Sequence, residues 1–283
     1  MTSPDDPHGS TPGRGAGSVV VLGGGLLGAA VARRANAGGS TVTVASRNPR
    51  QHPGLWRRLV LDDVQPADLA GLFAADVGRA PCSAPAPVHL VWAVSFADDD
   101  PRIPGKVLPR VVEHALRAGV ARVTLCGPAG RGLPGLDAFD RAVRELVRPG
   151  VRVARVPALF GTGDRLAWPL VQAIDDRGVA RIPRNLPAGW PLWVEDAARA
   201  ALALGDGDHT LRGPQRMEFQ ELAEAVVAAA GGRWGWRLFG GRGGAARMEA
   251  QVRIPDHWED RRLGARTSLS AWLKRLPRAR RRR

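Results

Sequence analysis

Apolar residues follow two rhythms along the first half of the chain. Short, nearly unbroken apolar runs at residues 19–22, 41–45, 88–94, 121–126 and 151–156 suit strands buried on both faces. A further strand is expected at 56–61. Between these runs, apolar positions recur at helical spacing over 26–36, 66–77, 105–118 and 136–147, as at Val107, Val111, Val112 and Leu116. Strands alternating with helices in this way predict parallel β-α-β units with right-handed crossovers. After Pro157 the rhythm breaks. A turn at 161–164, a helix at 166–176, a short strand at 179–183 and helices at 197–204, 219–230 and about 268–276 are expected, with an irregular Gly/Arg/Trp-rich stretch at 234–244.

The first apolar run meets a glycine turn, Gly23-Gly24-Gly25-Leu26-Leu27-Gly28, and a helical pattern follows it. Gly23, Gly25 and Gly28 match G-x-G-x-x-G. The first glycine allows the tight turn, the second lets a pyrophosphate approach the backbone, and the third lets helix and strand pack closely. The helix N-terminus offers N–H groups and a positive dipole end to phosphates. The pattern predicts an α/β fold, a Rossmann doubly wound parallel sheet. Residues 18–165, completed by about 191–212, would form the NAD(P)-binding domain, with 166–190 and 213–276 outside it. A disordered leader at 1–17 and a basic tail at 277–283 complete the division. The second strand ends in Ser46-Arg47 with no carboxylate there to hold ribose hydroxyls. A guanidinium binds a 2′-phosphate bidentately, so NADP is expected over NAD. The expected cofactor-binding residues are Gly23, Gly25, Leu26, Leu27, Gly28, Ser46, Arg47, Asp63, Ala93 and Pro157.

Composition changes this picture little. The formal charge is +14 over 283 residues. Only Lys106 and Lys274 are lysines, and arginine abundance beside Ala, Gly and Pro reads as coding bias rather than a nucleic-acid site. The run Arg278 to Arg283 reads as a solvated tail, with weak adhesion to polyanions as the alternative. No apolar run is long enough to span a membrane. The leader lacks the apolar core of a signal peptide, and Cys82 and Cys126 stand alone, so a reducing cytoplasm is expected. Neither cysteine has metal-ligand spacing. The acidic triplet Asp98 to Asp100 reads as a solvated loop or helix cap, and no metal is expected. There is no G-x-S-x-G elbow and no H-E-x-x-H. The partner is expected to be a small-molecule substrate; a homodimer is compatible with this reading.

With its segments in order, the chain resembles the extended or atypical short-chain dehydrogenase/reductase superfamily, in its NAD-dependent epimerase/dehydratase branch, over about residues 18–276. Four stretches carry the resemblance: Val21 to Gly28; Arg155-Val156-Pro157-Ala158-Leu159-Phe160-Gly161-Thr162-Gly163-Asp164; Trp193-Val194-Glu195-Asp196-Ala197-Ala198-Arg199-Ala200; and Leu263 to Leu273. The resemblance implies a nicotinamide dinucleotide cofactor on a Rossmann doubly wound parallel sheet with a small C-terminal substrate domain, 166–190 and 213–276, over its nicotinamide end. Two departures stand out. The glycine spacing is nearer the dehydrogenase form than the family's G-x-x-G-x-x-G. The family's Tyr-x-x-x-Lys pair is also missing: the chain contains no tyrosine, and the two positions fall at about Leu136 and Asp140.

A carbonyl that accepts hydride needs a proton donor at its oxygen. Asp137, Asp140, Arg141, Cys126 and Ser95 are the candidate replacements, with Arg131 beside them. Asp137 and Arg141, four apart, share a helix face and also suit a surface ion pair. Three readings stay open: an oxidoreductase, epimerase or dehydratase using another acid or base; a reductase whose proton comes from substrate or water; and a catalytically inactive NADP-binding regulatory or scaffold protein. Trp168, Trp190 and Trp193 suit either core packing or a wall over an apolar or aromatic substrate.

Overall fold

The computed structural model describes residues 17–46, 55–58, 68–69, 72–73, 89–94, 101–129, 134–161, 179–182, 188–214, 216–229 and 233–236. In chain order the strands are β1 (Ser18–Leu22), β2 (Thr41–Ser46), β3 (Leu55–Arg58), β4 (His89–Trp92), β5 (Arg122–Pro128), β6 (Val151–Val156), β7 (Leu159–Phe160), β8 (Val179–Ile182), β9 (Ala188–Gly189), β10 (Leu192–Trp193), β11 (Gly207–Thr210), β12 (Met217–Glu218) and β13 (Arg233–Trp236). The helices are α1 (Leu26–Ala37), α2 (Leu108–Arg117), α3 (Pro134–Leu146), α4 (Val194–Ala203) and α5 (Phe219–Ala229).

Seven strands form one sheet in the order β11-β6-β5-β4-β1-β2-β3, every pair parallel. This is the doubly wound Rossmann order with one further strand at the β6 edge. Successive side chains of β1 feed opposite layers, as a period of two requires. Val20 and Leu22 join Leu108, Val111, Val112, Phe139 and Val143 of α2 and α3. Val19 and Val21 join Ala30, Val31 and Ala35 of α1 and Ala197, Ala198 and Ala201 of α4. Both faces of the central strands are therefore covered, which is why their sequences read as unbroken apolar runs. The abundance of alanine on α1 and α4 lets these two helices pack against each other and the sheet with little side chain between them. Arg33 and Glu195 bridge their outer surfaces at 2.6 Å.

Outside the main sheet lie three two-stranded ladders: β7 with β10 and β8 with β13, both parallel, and β9 with β12, antiparallel. Several elements depart from the sequence pattern. The helix expected from Gly105 is preceded by a wide turn at Ile103–Val107, in which the Leu108 N–H reaches the Ile103 carbonyl. Pro104 and Pro109 remove two N–H donors from this stretch, which loosens the ordinary register. Helix α4 starts at Val194, three residues before the expected Ala197. Glu195 and Asp196 in its first turn suit the positive end of the helix dipole. Within the stretch read as irregular, 234–236 continue strand β13 from Arg233. The helix expected at 166–176 and the one at 268–276 lie outside the described residues, as do the leader and the tail. No described helix is long and apolar enough to cross a membrane.

Candidate functional site

At the carboxyl end of β1 the chain is held from both sides. The Gly23 N–H donates to the Ala45 carbonyl of β2 at 2.9 Å, and the Ala93 N–H beyond β4 donates to the Leu22 carbonyl at 2.7 Å. The three glycines then differ in what each requires. Gly23 has φ +105, and a Cβ there would lie 2.5 Å from the Ala93 carbonyl oxygen, so both conformation and space demand glycine. At Gly28 a Cβ would lie 1.8 Å from the Gly23 carbonyl oxygen; this glycine sets the close approach of α1 to the turn. Gly25 is unlike both. Its φ is −71, ordinary for any residue, and among the described residues nothing beyond its own chain neighbours lies within 4 Å of its would-be Cβ.

Gly25 is also the N-cap of α1. No side chain caps this helix, and no acidic residue sits in its first turn. The first intrahelical bond runs from the Ala29 N–H to the Gly25 carbonyl at 2.9 Å, so the turn before it leads with N–H groups. An uncapped helix start, bare backbone and open space coincide at the crevice where the strand order reverses, between β1 and its two neighbours. This cradle fits the pyrophosphate of a dinucleotide. Leu26 and Leu27 are half-buried against the α1–α4 core, and Gly28 is buried. Ala93 is buried as the floor behind Gly23, Pro157 is buried just past β6, and Ser46 closes β2 half-buried. Arg47 and Asp63 lie outside the described residues.

The candidate acid and base groups are dispersed. Cys126 is buried on the α1–α4 side of β5, and burial pushes its thiol up to about 12. A thiol so placed is neither a nucleophile nor a proton carrier near neutral pH. Asp137 and Arg141 are exposed on α3. Asp140 is bound to the Arg155 guanidinium, which also contacts Asp208 of β11 at 2.9 Å. Two carboxylates hold the Arg155 pKa up against the opposing effect of burial. Ser95 and Arg131 lie outside the described residues.

Sequence reasoning missed the partner of Asp140. Arg155 is on β6 and Asp208 is on the edge strand, and no spacing links the three residues. It also missed Phe139. This ring is fully buried against Gly127, where a Cβ would be 2.2 Å from the ring, and the Arg155 guanidinium sits 5.3 Å from its centroid. Leu136, at the place of the family tyrosine, is buried as well. On α3, Leu136 and Phe139 are thus taken up by apolar packing and Asp140 by an ion pair, while Asp137 and Arg141 stand on the exposed side of the helix. Of the tryptophans, Trp193 packs on Phe160 with ring centroids 5.5 Å apart, and Trp190 lies under the Arg212 guanidinium at 5.6 Å. Both are half-buried. Trp168 is outside the described residues.

No protein-family model matches the chain, and no curated protein matches it. Solved structures do. MoeE5 in complex with UDP-glucose and NAD has a TM-score of 0.66 at 17% identity, over 91% of this chain and 96% of that one. WbmG of Bordetella bronchiseptica, in complex with NAD and UDP, has a TM-score of 0.65 at 12% identity, covering 90% and 92%. UDP-glucose 4-epimerase of Thermus thermophilus, in complex with NAD, has a TM-score of 0.61 at 15% identity, covering 83% and 97%. At such identities the likeness establishes the architecture: this chain has the fold of the NAD-dependent epimerase/dehydratase structures, the extended short-chain dehydrogenase/reductase fold.

Proposed function

We propose that this protein binds a nicotinamide dinucleotide at the Gly23–Gly28 turn and acts as an oxidoreductase, epimerase or dehydratase on a small metabolite. The observation that carries the reading is Gly25. Neither its backbone angles nor, among the described residues, any neighbour calls for glycine, whereas a diphosphate seated on the start of α1 does. The similarly folded MoeE5, WbmG and UDP-glucose 4-epimerase were solved with NAD, which supports a nicotinamide cofactor. Arg47 after β2, and the lack of a carboxylate there, support NADP(H) as the preferred form. The bound cofactor would supply hydride transfer. The chain would hold it in place and keep water from its diphosphate side. Trp190 and Trp193, on the segment leading into α4, support an apolar or aromatic substrate. The test is a fluorescence titration with NADPH and with NADH. Saturable binding with NADPH the tighter is expected; no binding of either would end the reading.

A second reading is favoured by a separate observation. Leu136 and Phe139 are packed into the core, Asp140 is tied to Arg155 and the Cys126 thiol is buried, which leaves no free acid or base on the described parts of α3 and β5 that face the core. On this reading the protein binds NADP(H) without turning it over and acts as a regulatory or scaffold protein. Oxidation of NADPH against a panel of carbonyl compounds separates the two. Turnover above the cofactor's own rate supports the enzyme, and saturable binding with no turnover supports the regulator.

A further inference from the structure

At the amino edge of the sheet, the end away from the glycine turn, lies a pocket of about 800 Å³. Ser18, Arg34, His89 and Arg122 line it, over apolar Val19 and Leu202. We propose that this pocket binds the phosphate or carboxylate group of a small metabolite, at a site separate from the dinucleotide crevice.

Several features converge on an oxyanion. Its volume is that of a small-molecule site. No Asp or Glu is among the described residues that line it, whereas two guanidinium groups are. Arg34 comes from the last turn of α1, and Arg122 opens β5. The end of α1 also faces the pocket. Its Arg34, Ala35 and Asn36 carbonyls accept from the N–H groups of Gly38, Ser40 and Gly39 at 2.9–3.0 Å, so none of the three is a bare acceptor toward a ligand. Ser18 is 6% exposed, and among the described residues its sealed hydroxyl has no hydrogen-bond partner, so a polar group sits unsatisfied behind the pocket wall. His89 is buried and reaches Thr124 Oγ1 through Nε2 at 2.9 Å. Burial, then the charges of Arg152 and Arg122, lower its pKa to about 4. It is therefore neutral near pH 7. Arg152 is engaged by Asp206 at 3.1 Å, and the same carboxylate lies within reach of the Arg122 charge; Arg34 and Arg122 are the cationic side chains among the described residues of the pocket wall.

The test is a two-dimensional NMR titration that follows the His89 ring resonances, assigned with His89→Gln. Inorganic phosphate and acetate are added in separate series at ionic strength held constant with sodium chloride. At least one of the two oxyanions is expected to shift the His89 ring saturably; which does so distinguishes a phosphate from a carboxylate ligand. Removing one charged hydrogen-bond donor in Arg122→Gln should raise the midpoint about tenfold. Arg34→Gln, an exposed helix position, serves the same purpose should Arg122→Gln fold poorly. Saturating NADPH should leave the midpoint unchanged. No saturable shift up to about 50 mM, a midpoint unaltered in the arginine variant, or competition with NADPH would overturn the proposal. Failure of NADPH to bind would count against the glycine turn alone.

Discussion

Gly25→Ser separates what the fold needs from what a ligand needs. Serine is among the best N-cap residues, and Gly25 already has the extended angles of a cap, φ −71 and ψ −168. Among the described residues, nothing beyond the chain neighbours lies within 4 Å of the new Cβ. The folded protein should therefore be as stable as before, or a few tenths of a kcal/mol more so. The same side chain would stand in the space assigned to the diphosphate. Displacing it from one or two backbone N–H groups forfeits about 1.5–3 kcal/mol for each charge-assisted bond. At 1.4 kcal/mol per decade, NADPH affinity should fall by about 10-fold for one weak bond to about 10⁴-fold for two strong ones. Thermal melting gives the first quantity and cofactor fluorescence titration the second. Unchanged affinity would refute the assignment. So would a loss of several kcal/mol in stability, since Gly25 would then serve the fold.

Four further outcomes follow from the same coordinates. Gly28→Ala places a Cβ 1.8 Å from the Gly23 carbonyl, and thermal or urea unfolding should register a loss of about 3 kcal/mol or more. Asp140→Asn leaves Arg155 with Asp208 alone; it should cost about 1 kcal/mol in urea denaturation and leave any turnover unchanged, whereas a large loss of kcat at full stability would make Asp140 catalytic. The His89 pKa, about 4 when folded against 6.5 in an open chain, means that the unfolded state binds the extra proton between those values. The His89 contribution is thus full above about pH 6.5 and is lost as pH falls toward 4, by up to roughly 3 kcal/mol, and His89→Gln should flatten that slope. In a Cys82→Ser background, Cys126 should resist alkylation at pH 8 until the protein is unfolded, because its thiol sits near 12.

The sheet was legible because burial on both faces leaves no polar residue in the middle of β1 or β4, and because Gly23 and Gly28 answer to geometry that sequence spacing reports. The edge strand β11, Gly-Asp-His-Thr, carries no such pattern; it is defined by pairing with β6 and by the grip of Asp206 and Asp208 on Arg152 and Arg155. The wide turn before α2 depends on two prolines acting together rather than on a periodic signal. At the site, the glycine turn was local in sequence and so could be read. The fate of α3 was not, because Asp140 meets partners 15 and 68 residues away through Arg155, and because the place of the family tyrosine is filled by packing rather than by another polar group.

The most direct measurement is an amide NMR titration of the full chain with NADPH. A diphosphate seated on the start of α1 should shift the Gly25, Leu26 and Leu27 amide resonances saturably, with the same midpoint as the fluorescence change. Saturable binding that leaves these three amides unmoved, or no binding at all, would contradict the account.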